Sequence, residues 1–157
     1  MVRRLASEDG ETLSELRLAA LTDSPDSFLG RLDEEAARSP EEWHSAVTRG
    51  VWFAAFADDA AAGLVSVVFD EQTQEHYAES MWVRPRRRGR GVATALLEAV
   101  VQYVAGQGGS ALRLWVLDGN PSAVDAYQHF GFRPTGLRQS VPDHAGMVEE
   151  EFSLRMS

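Results

Sequence analysis

The stretch "HYAESMWVRPRRRGRGVATALLEAVVQYVAG", residues 76–106, constrains the fold more than any other. An apolar, β-branched and aromatic run is stopped at Pro85, and Arg84 before that proline is expected to be extended. Two glycines, Gly89 and Gly91, then precede a helical pattern from about Gly91 to Tyr103, with Ala93, Leu97, Val100 and Val104 on one stripe. A strand, a tight glycine turn and a helix in immediate succession leave the first helical amides without partners inside the helix, where they carry partial positive charge. Glycine lets a ligand approach the backbone closely, and the five arginines between Arg84 and Arg90 supply forked donors suited to phosphate oxygens. The pattern suits a seat for a phosphorylated ligand; charge alone would equally give a solvated basic loop before a helix, and the glycine spacing at the helix start is what favours the seat.

Two nucleotide-binding patterns are excluded. The P-loop motif needs a lysine, and all fifteen basic residues of this chain are arginine. The dinucleotide motif G-x-G-x-x-G fails because Thr94 occupies the third glycine position. The net charge of −9 argues against nucleic acid and anionic membrane as partners. With no cysteine, disulfides, thiolate nucleophiles and cysteine-based zinc sites are ruled out. Scattered histidines without carboxylate spacing make no case for a metal site. The start "MVRRLASEDGETL" shows no apolar signal region, and no run has the length of a membrane span, so a cytoplasmic location is expected.

The 157 residues suit a single domain over 1–157. "MVRRLA" reads as a first strand, and Leu13, Leu16 and Ala20 mark a helix ending before Pro25. "SPDSFLGRLDEEAA" reads as loop and a weak helical piece. "SPEEWHSAVTRG" carries a capping box at Ser39 and Glu42 with Pro40 in the first turn. "VWFAAFA" and "LVSVVFD" are strands joined by "DDAAAG"; "ALRLWVL" is another, and "MVEEEFSLRM" alternates like a last one. "NPSAVDAYQHFGF" is a short helix with Asn120 as cap and Gly131 past its end. The expected fold class is α/β (α+β), a mixed, mostly antiparallel sheet of about six to seven strands flanked by about four helices.

"VRPRRRGRGVATALL" resembles the acetyl-CoA signature Q/R-x-x-G-x-G/A of the GNAT superfamily of N-acetyltransferases, filled by Arg86, Gly89 and Gly91 after Val83 and Pro85. A second landmark, N-x-x-A-x-x-x-Y-x-x-x-G-F, is matched at Asn120, Ala123, Tyr127, Gly131 and Phe132. The resemblance is strong from about residue 64 to 136. It implies acetyl-CoA as co-substrate, its pyrophosphate gripped by amides around Arg88 to Thr94, including Gly89, Arg90, Gly91, Val92 and Ala93. Arg88 and Arg90 would add charge. The pantetheine arm would pair with backbone at Met81, Trp82 and Val83, in the gap where that strand splays from Leu114 to Val116. Asn120 would both cap its helix and contact the arm. Tyr127 would protonate the leaving thiolate; plain packing on the Ala123–Tyr127–Phe130 stripe is the alternative. Glu79, placed by alternation on the face of Met81 and Val83, is the candidate base, with His76, His129 and His144 as rivals. Phe28 is a candidate wall of the acceptor pocket.

The expected acceptor is a primary amine of a small molecule. The acidic stretches "RLDEEAARSPEE", "FADD", "FDEQTQE" and "MVEEE" either attract a cation or serve solubility. A peptide or protein acceptor stays open, since "RRRGRG" also resembles the turn of enzymes that acetylate ribosomal protein N-termini, as does a non-catalytic acyl-CoA-binding module. A homodimer is compatible with the resemblance.

Overall fold

The structure is a computed structural model that describes residues 1–24, 32–141 and 144–156. Among them are seven strands: β1 (Val2–Arg4), β2 (Val51–Ala57), β3 (Ala60–Asp70), β4 (Glu75–Val83), β5 (Ala111–Leu117), β6 (Arg133–Ser140) and β7 (Val148–Arg155). Five helices accompany them: α1 (Gly10–Asp23), α2 (Leu32–Ala36), α3 (Pro40–Arg49), α4 (Val92–Gly106) and α5 (Pro121–Phe130). The short α2 is the weak helical piece expected in "RLDEEAA". The strands run in the order β1-β2-β3-β4-β5-β7-β6. The β1/β2, β2/β3, β5/β7 and β6/β7 pairs are antiparallel. The β4/β5 pair is parallel, in register at His76↔Leu112 and Tyr77↔Arg113.

The chain divides into two compact units, Met1–Val68 with Ser80–Val100, and Phe69–Glu79 with Val101–Ser157. In the first, Leu5, Leu13, Leu16, Ala20, Trp43, Val47, Ala54, Leu64 and Trp82 form the core. The helical spacing of Leu13, Leu16 and Ala20 is what turns one face of α1 inward. α3 starts as its sequence demands: the Ser39 hydroxyl accepts from the Glu42 amide and the Glu42 carboxylate accepts from the Ser39 amide, both at 3.2 Å. The turn between β2 and β3 is shorter than "DDAAAG". Only Asp58 and Asp59 make it, at φ 52° and 63°, and Ala60 to Gly63 already belong to β3. Two left-handed residues in a row are the two-residue hairpin geometry that matches strand twist, and aspartate tolerates it. In β3, a Cβ at Gly63 would lie 3.0 Å from the Trp82 carbonyl oxygen and 3.1 Å from both Val92 and Leu96 side chains. Glycine there lets the first turn of α4 sit close against the strands.

In the second unit, Leu112, Leu114 and Val116 of β5 point inward in strict alternation, and Phe132 and Phe152 are buried. "MVEEE" was expected to be solvated or cation-attracting. Its last glutamate, Glu151, is 1% exposed. It accepts from Tyr77 Oη at 2.9 Å, from Thr135 Oγ1 at 2.9 Å and from Arg113 Nη1 at 3.2 Å. A buried carboxylate needs such partners to offset its desolvation. Burial and Glu151 together push the Tyr77 phenol above its usual range. Glu35 in "RLDEEAARSPEE" is likewise 6% exposed and bonded to Arg17 at 2.9 and 3.2 Å.

Candidate functional site

The first unit holds the turn between β4 and α4. Arg84 is extended, at φ −55° and ψ 133°, as a residue before proline should be. Pro85–Arg87 is one turn of 3₁₀ helix, in which the Arg87 amide donates to the Arg84 carbonyl at 2.8 Å and the Arg88 amide to that of Pro85 at 3.3 Å. The run of amides expected from Arg88 onward is therefore one residue shorter, because the Arg88 amide is already used. From Gly89 through Thr94, no amide donates to a described acceptor. The first helical bond in the region runs from the Ala95 amide to the Gly91 carbonyl at 3.0 Å. Gly91 stands where a capping side chain would otherwise stand, and it offers none. Gly89 and Gly91 have φ of 75° and 83°, a conformation that costs a side-chain-bearing residue roughly 1–2 kcal/mol. A Cβ at either would meet no described atom within 4 Å. The turn is thus strained for anything but glycine, and its outer surface is open.

The five arginines separate into two groups. Arg84 bonds to Glu15 and to the Ala61 carbonyl, both at 3.0 Å. Arg87 bonds to Asp58 at 3.2 Å, and Arg88 to Asp23 at 2.7 Å and to the Val83 carbonyl at 2.9 Å. Arg86 and Arg90, both exposed, have no hydrogen bond or ion pair among the described residues. The two cations left without a counter-charge flank the glycine turn. Arg88, expected to add charge to the seat, has Nε and Nη2 engaged, while its Nη1 has no hydrogen bond among the described residues.

Met81 and Val83 are partly buried and Trp82 is 4% exposed. Alternation was expected to put Glu79 on the face of Met81 and Val83. Ser80, between them, has φ 58°, and an irregularity of that kind breaks the period of two. Face-sharing therefore does not carry through Ser80; the structure fixes only that Glu79 is exposed and has an interaction partner. The Ser80 hydroxyl accepts from Arg17 Nη1 at 3.1 Å, so the irregular residue is held by the Arg17–Glu35 pair. Phe28 lies outside the described residues.

The second unit holds α5. Asn120 Oδ1 accepts from the Ala123 amide at 3.3 Å, as a cap should. Gly131, at φ 130°, ends the helix with its amide donating to the Tyr127 and Gln128 carbonyls, each at 3.1 Å. Tyr127 is partly buried, with its ring edge-on to Phe132 at 5.7 Å between centroids. Desolvation pushes its phenol up to about 12. A phenol with that pKa in the folded state and about 10 in the unfolded one binds its proton more tightly when folded. Its contribution to stability is complete below pH 10 and is lost as the pH rises towards 12, by up to roughly 2–3 kcal/mol. Alkaline titration of the melting temperature should show this loss in the natural protein and a shallower one in Tyr127→Phe. Identical curves would contradict the desolvation.

Of the rival histidines, His76 packs its ring on Phe69 at 4.9 Å, and His129 is exposed on α5. His144 is partly buried, its amide donating to the Val141 carbonyl at 3.2 Å. Beside α5, a cavity of about 320 Å³ is lined in part by Asp118, Asn120, Val124, Asp125 and Glu150. Asp118 bonds to Arg138, and Glu150 lies 3.9 Å from the same guanidinium. Among the described residues there is no group of three or more metal-ligating side chains that could hold an ion, and no helix long and apolar enough to cross a membrane.

An open glycine turn runs into an uncapped helix beside two guanidinium groups that have no partner among the described residues, an arrangement with the free donors an anion would need. The chain belongs to the acetyltransferase (GNAT) family, whose profile it matches over residues 16–132. Over 72 residues it is 35% identical to thialysine N-epsilon-acetyltransferase of Sus scrofa, covering 45% of this chain and 42% of that one. It is also 30% identical over 102 residues to streptothricin acetyltransferase of Streptomyces lavendulae, covering 64% of this chain and 53% of that one. The chain thus spans about half the length, or less, of these curated relatives. A GNAT-family acetyltransferase from Streptococcus pneumoniae shares the fold with a TM-score of 0.81 at 19% identity, covering 100% of this chain and 99% of that one.

Sequence reasoning missed Asp23, which Trp82 and Arg88 both contact. No local signal marks it, because its partners lie 59 and 65 residues away.

Proposed function

We propose that this chain transfers the acetyl group of acetyl-CoA to a primary amine of a small molecule, by direct attack in a ternary complex. The observation that carries the reading is the run of free amides from Gly89 through Thr94, with Arg86 and Arg90 unpaired beside it, in a chain of the acetyltransferase family. Those amides and guanidinium groups hold the diphosphate. The pantetheine arm adds to the backbone of Met81 to Val83 in the manner of an extra strand. With amine and thioester held together, much of the entropic barrier to their encounter is removed.

The amine nitrogen bonds to the acetyl carbon, the carbon–sulfur bond breaks, the amine loses a proton and the sulfur gains one. Tyr127 supplies the proton to sulfur. A phenol at about 12 keeps its proton at neutral pH. Against a thiolate of ordinary pKa, about 8.5, complete transfer from it would be uphill. Desolvation raises the proton affinity of the departing thiolate as it raises that of the phenol, so both act in one medium and the transfer accompanies cleavage. Glu79 takes the amine proton, directly or through water. No covalent intermediate is required.

A cationic amine suits the carboxylates Asp118, Asp125 and Glu150 around the cavity beside α5. The relatives named for streptothricin and thialysine acetylation point the same way, since both names describe amines outside proteins. The test is a screen of polyamines, aminoglycosides, free amino acids and peptide N-termini with acetyl-CoA, reading thiol release. Turnover with small amines is the expected result. Turnover with peptides alone would move the acceptor to a protein, and no turnover while coenzyme A still binds would leave a binding module.

A further inference from the structure

At the end of α1, three donors converge on a single oxygen. Asp23 Oδ2 accepts from Trp82 Nε1 at 2.9 Å, from Arg88 Nη2 at 2.7 Å and from Ser24 Oγ at 3.0 Å. The position is a poor one for a carboxylate, since the C-terminal end of a helix carries partial negative charge. The hydrogen bonds from Trp82 and Arg88 outweigh that, and they hold the Asp23 carboxyl below its usual range. Trp82 is 4% exposed, so its indole N–H would be left unsatisfied without this acceptor. Arg88 reaches further. Its Nε donates to the Val83 carbonyl, the last of β4, at 2.9 Å, and the next residue in the chain is Gly89.

We infer that Asp23 is a positioning residue for the anion seat: through Arg88 it ties the end of β4 to the start of the glycine turn, and Arg88 is a strut rather than a phosphate ligand. The inference rests on the reading of that turn as the diphosphate seat. Arg88 spends Nε on a strand carbonyl and one Nη2 hydrogen on a carboxylate, so its guanidinium is held in place by two links and its charge is shared with Asp23. Arg86 and Arg90 carry no such obligation and supply the charge. The strut stands where the main chain passes from strand to turn, directly before the amides that have no acceptor among the described residues. Asp23 also joins α1 to that corner, which puts the seat under the control of a residue 65 positions earlier.

Calorimetric titration of the whole chain with coenzyme A tests this, using Asp23→Asn, Arg88→Gln and the double variant, with thermal melting alongside. Asparagine keeps an acceptor for Trp82, and Arg88→Gln, at an exposed residue, leaves the core untouched. Each single change should weaken coenzyme A about tenfold, and the double variant should be no worse than either, because both remove one strut. Tighter binding in Asp23→Asn with weaker binding in Arg88→Gln would make Arg88 a phosphate ligand freed by the first change, and would overturn the strut. Multiplying effects in the double variant, or lowered melting with unchanged affinity, would overturn it as well. Gly91→Val separates the two readings. If it binds coenzyme A normally, the seat falls and the strut with it. If it loses coenzyme A while Asp23→Asn and Arg88→Gln bind normally, only the strut falls.

Discussion

Replacing Gly91 by valine should leave a folded protein that no longer titrates with coenzyme A. The fold survives because the new side chain enters open space: a Cβ at this position meets no described atom within 4 Å. What the change adds is backbone strain. Gly91 sits at φ 83°, and a side chain there costs roughly 1–2 kcal/mol, more towards the upper end for a β-branched residue. Such a loss lowers the melting temperature by several degrees without unfolding a domain of this size. The cofactor fares worse. The same open space is where a diphosphate would rest on the amides from Gly89 through Thr94, and two methyl groups there keep phosphate oxygens from hydrogen-bond distance. Loss of those charge-assisted bonds should weaken coenzyme A by two orders of magnitude or more, about 2.7 kcal/mol. Calorimetry with thermal melting reads both effects. Gly91→Ala, with less strain, should sit between. Affinity equal to that of the natural protein in the valine variant would mean that the diphosphate lies elsewhere.

The glycine turn was legible because it is local. Pro85, Gly89 and Gly91 act within a few residues of themselves, each through its own backbone preference, and the helix that follows announces itself by the spacing of Leu97, Val100 and Val104. The caps at Ser39 and Asn120 were legible for the same reason: donor and acceptor are three residues apart. What could not be read was set by distant partners. The end of "MVEEE" looks like solvated charge until Tyr77, Thr135 and Arg113 close around Glu151. Ser80 gives no local warning that it will adopt φ 58°, and its hydroxyl is held by a bond from Arg17, 63 positions earlier. That one residue removes the alternation on which the facing of Glu79 depended. The arginine cluster lies between these extremes. Its charge was plain, but which arginines are neutralised depends on Glu15, Asp58 and Asp23, none of them near in sequence.

Tyr127→Phe should lower kcat about a hundredfold while the affinity for acetyl-CoA stays within a factor of about three. The two effects separate because the change removes an oxygen and little else. Tyr127 lies on α5, whose cap by Asn120 on the Ala123 amide is untouched, and its ring keeps the edge-on contact with Phe132. Burial has already pushed the hydroxyl up to about 12, and no hydrogen bond from it to a described residue offsets that burial. A phenylalanine in the same place therefore strands no partner, and packing alone predicts a variant as stable as the natural protein or more so. If packing were its whole role, kcat would not change. If the hydroxyl protonates the leaving sulfur, kcat falls by the amount general acid catalysis contributes, on the order of 10²–10⁴-fold, with the lower end expected because water can substitute. A thiol-release assay at saturating acetyl-CoA reads the rate, and a better leaving group supplies the second readout. An acetyl thioester of an acidic aryl thiol needs no proton on departure, so the natural protein and the variant should turn it over at similar rates. An equal loss on both thioesters would place the defect in binding geometry, and no loss on either would return Tyr127 to the apolar stripe it shares with Ala123 and Phe130.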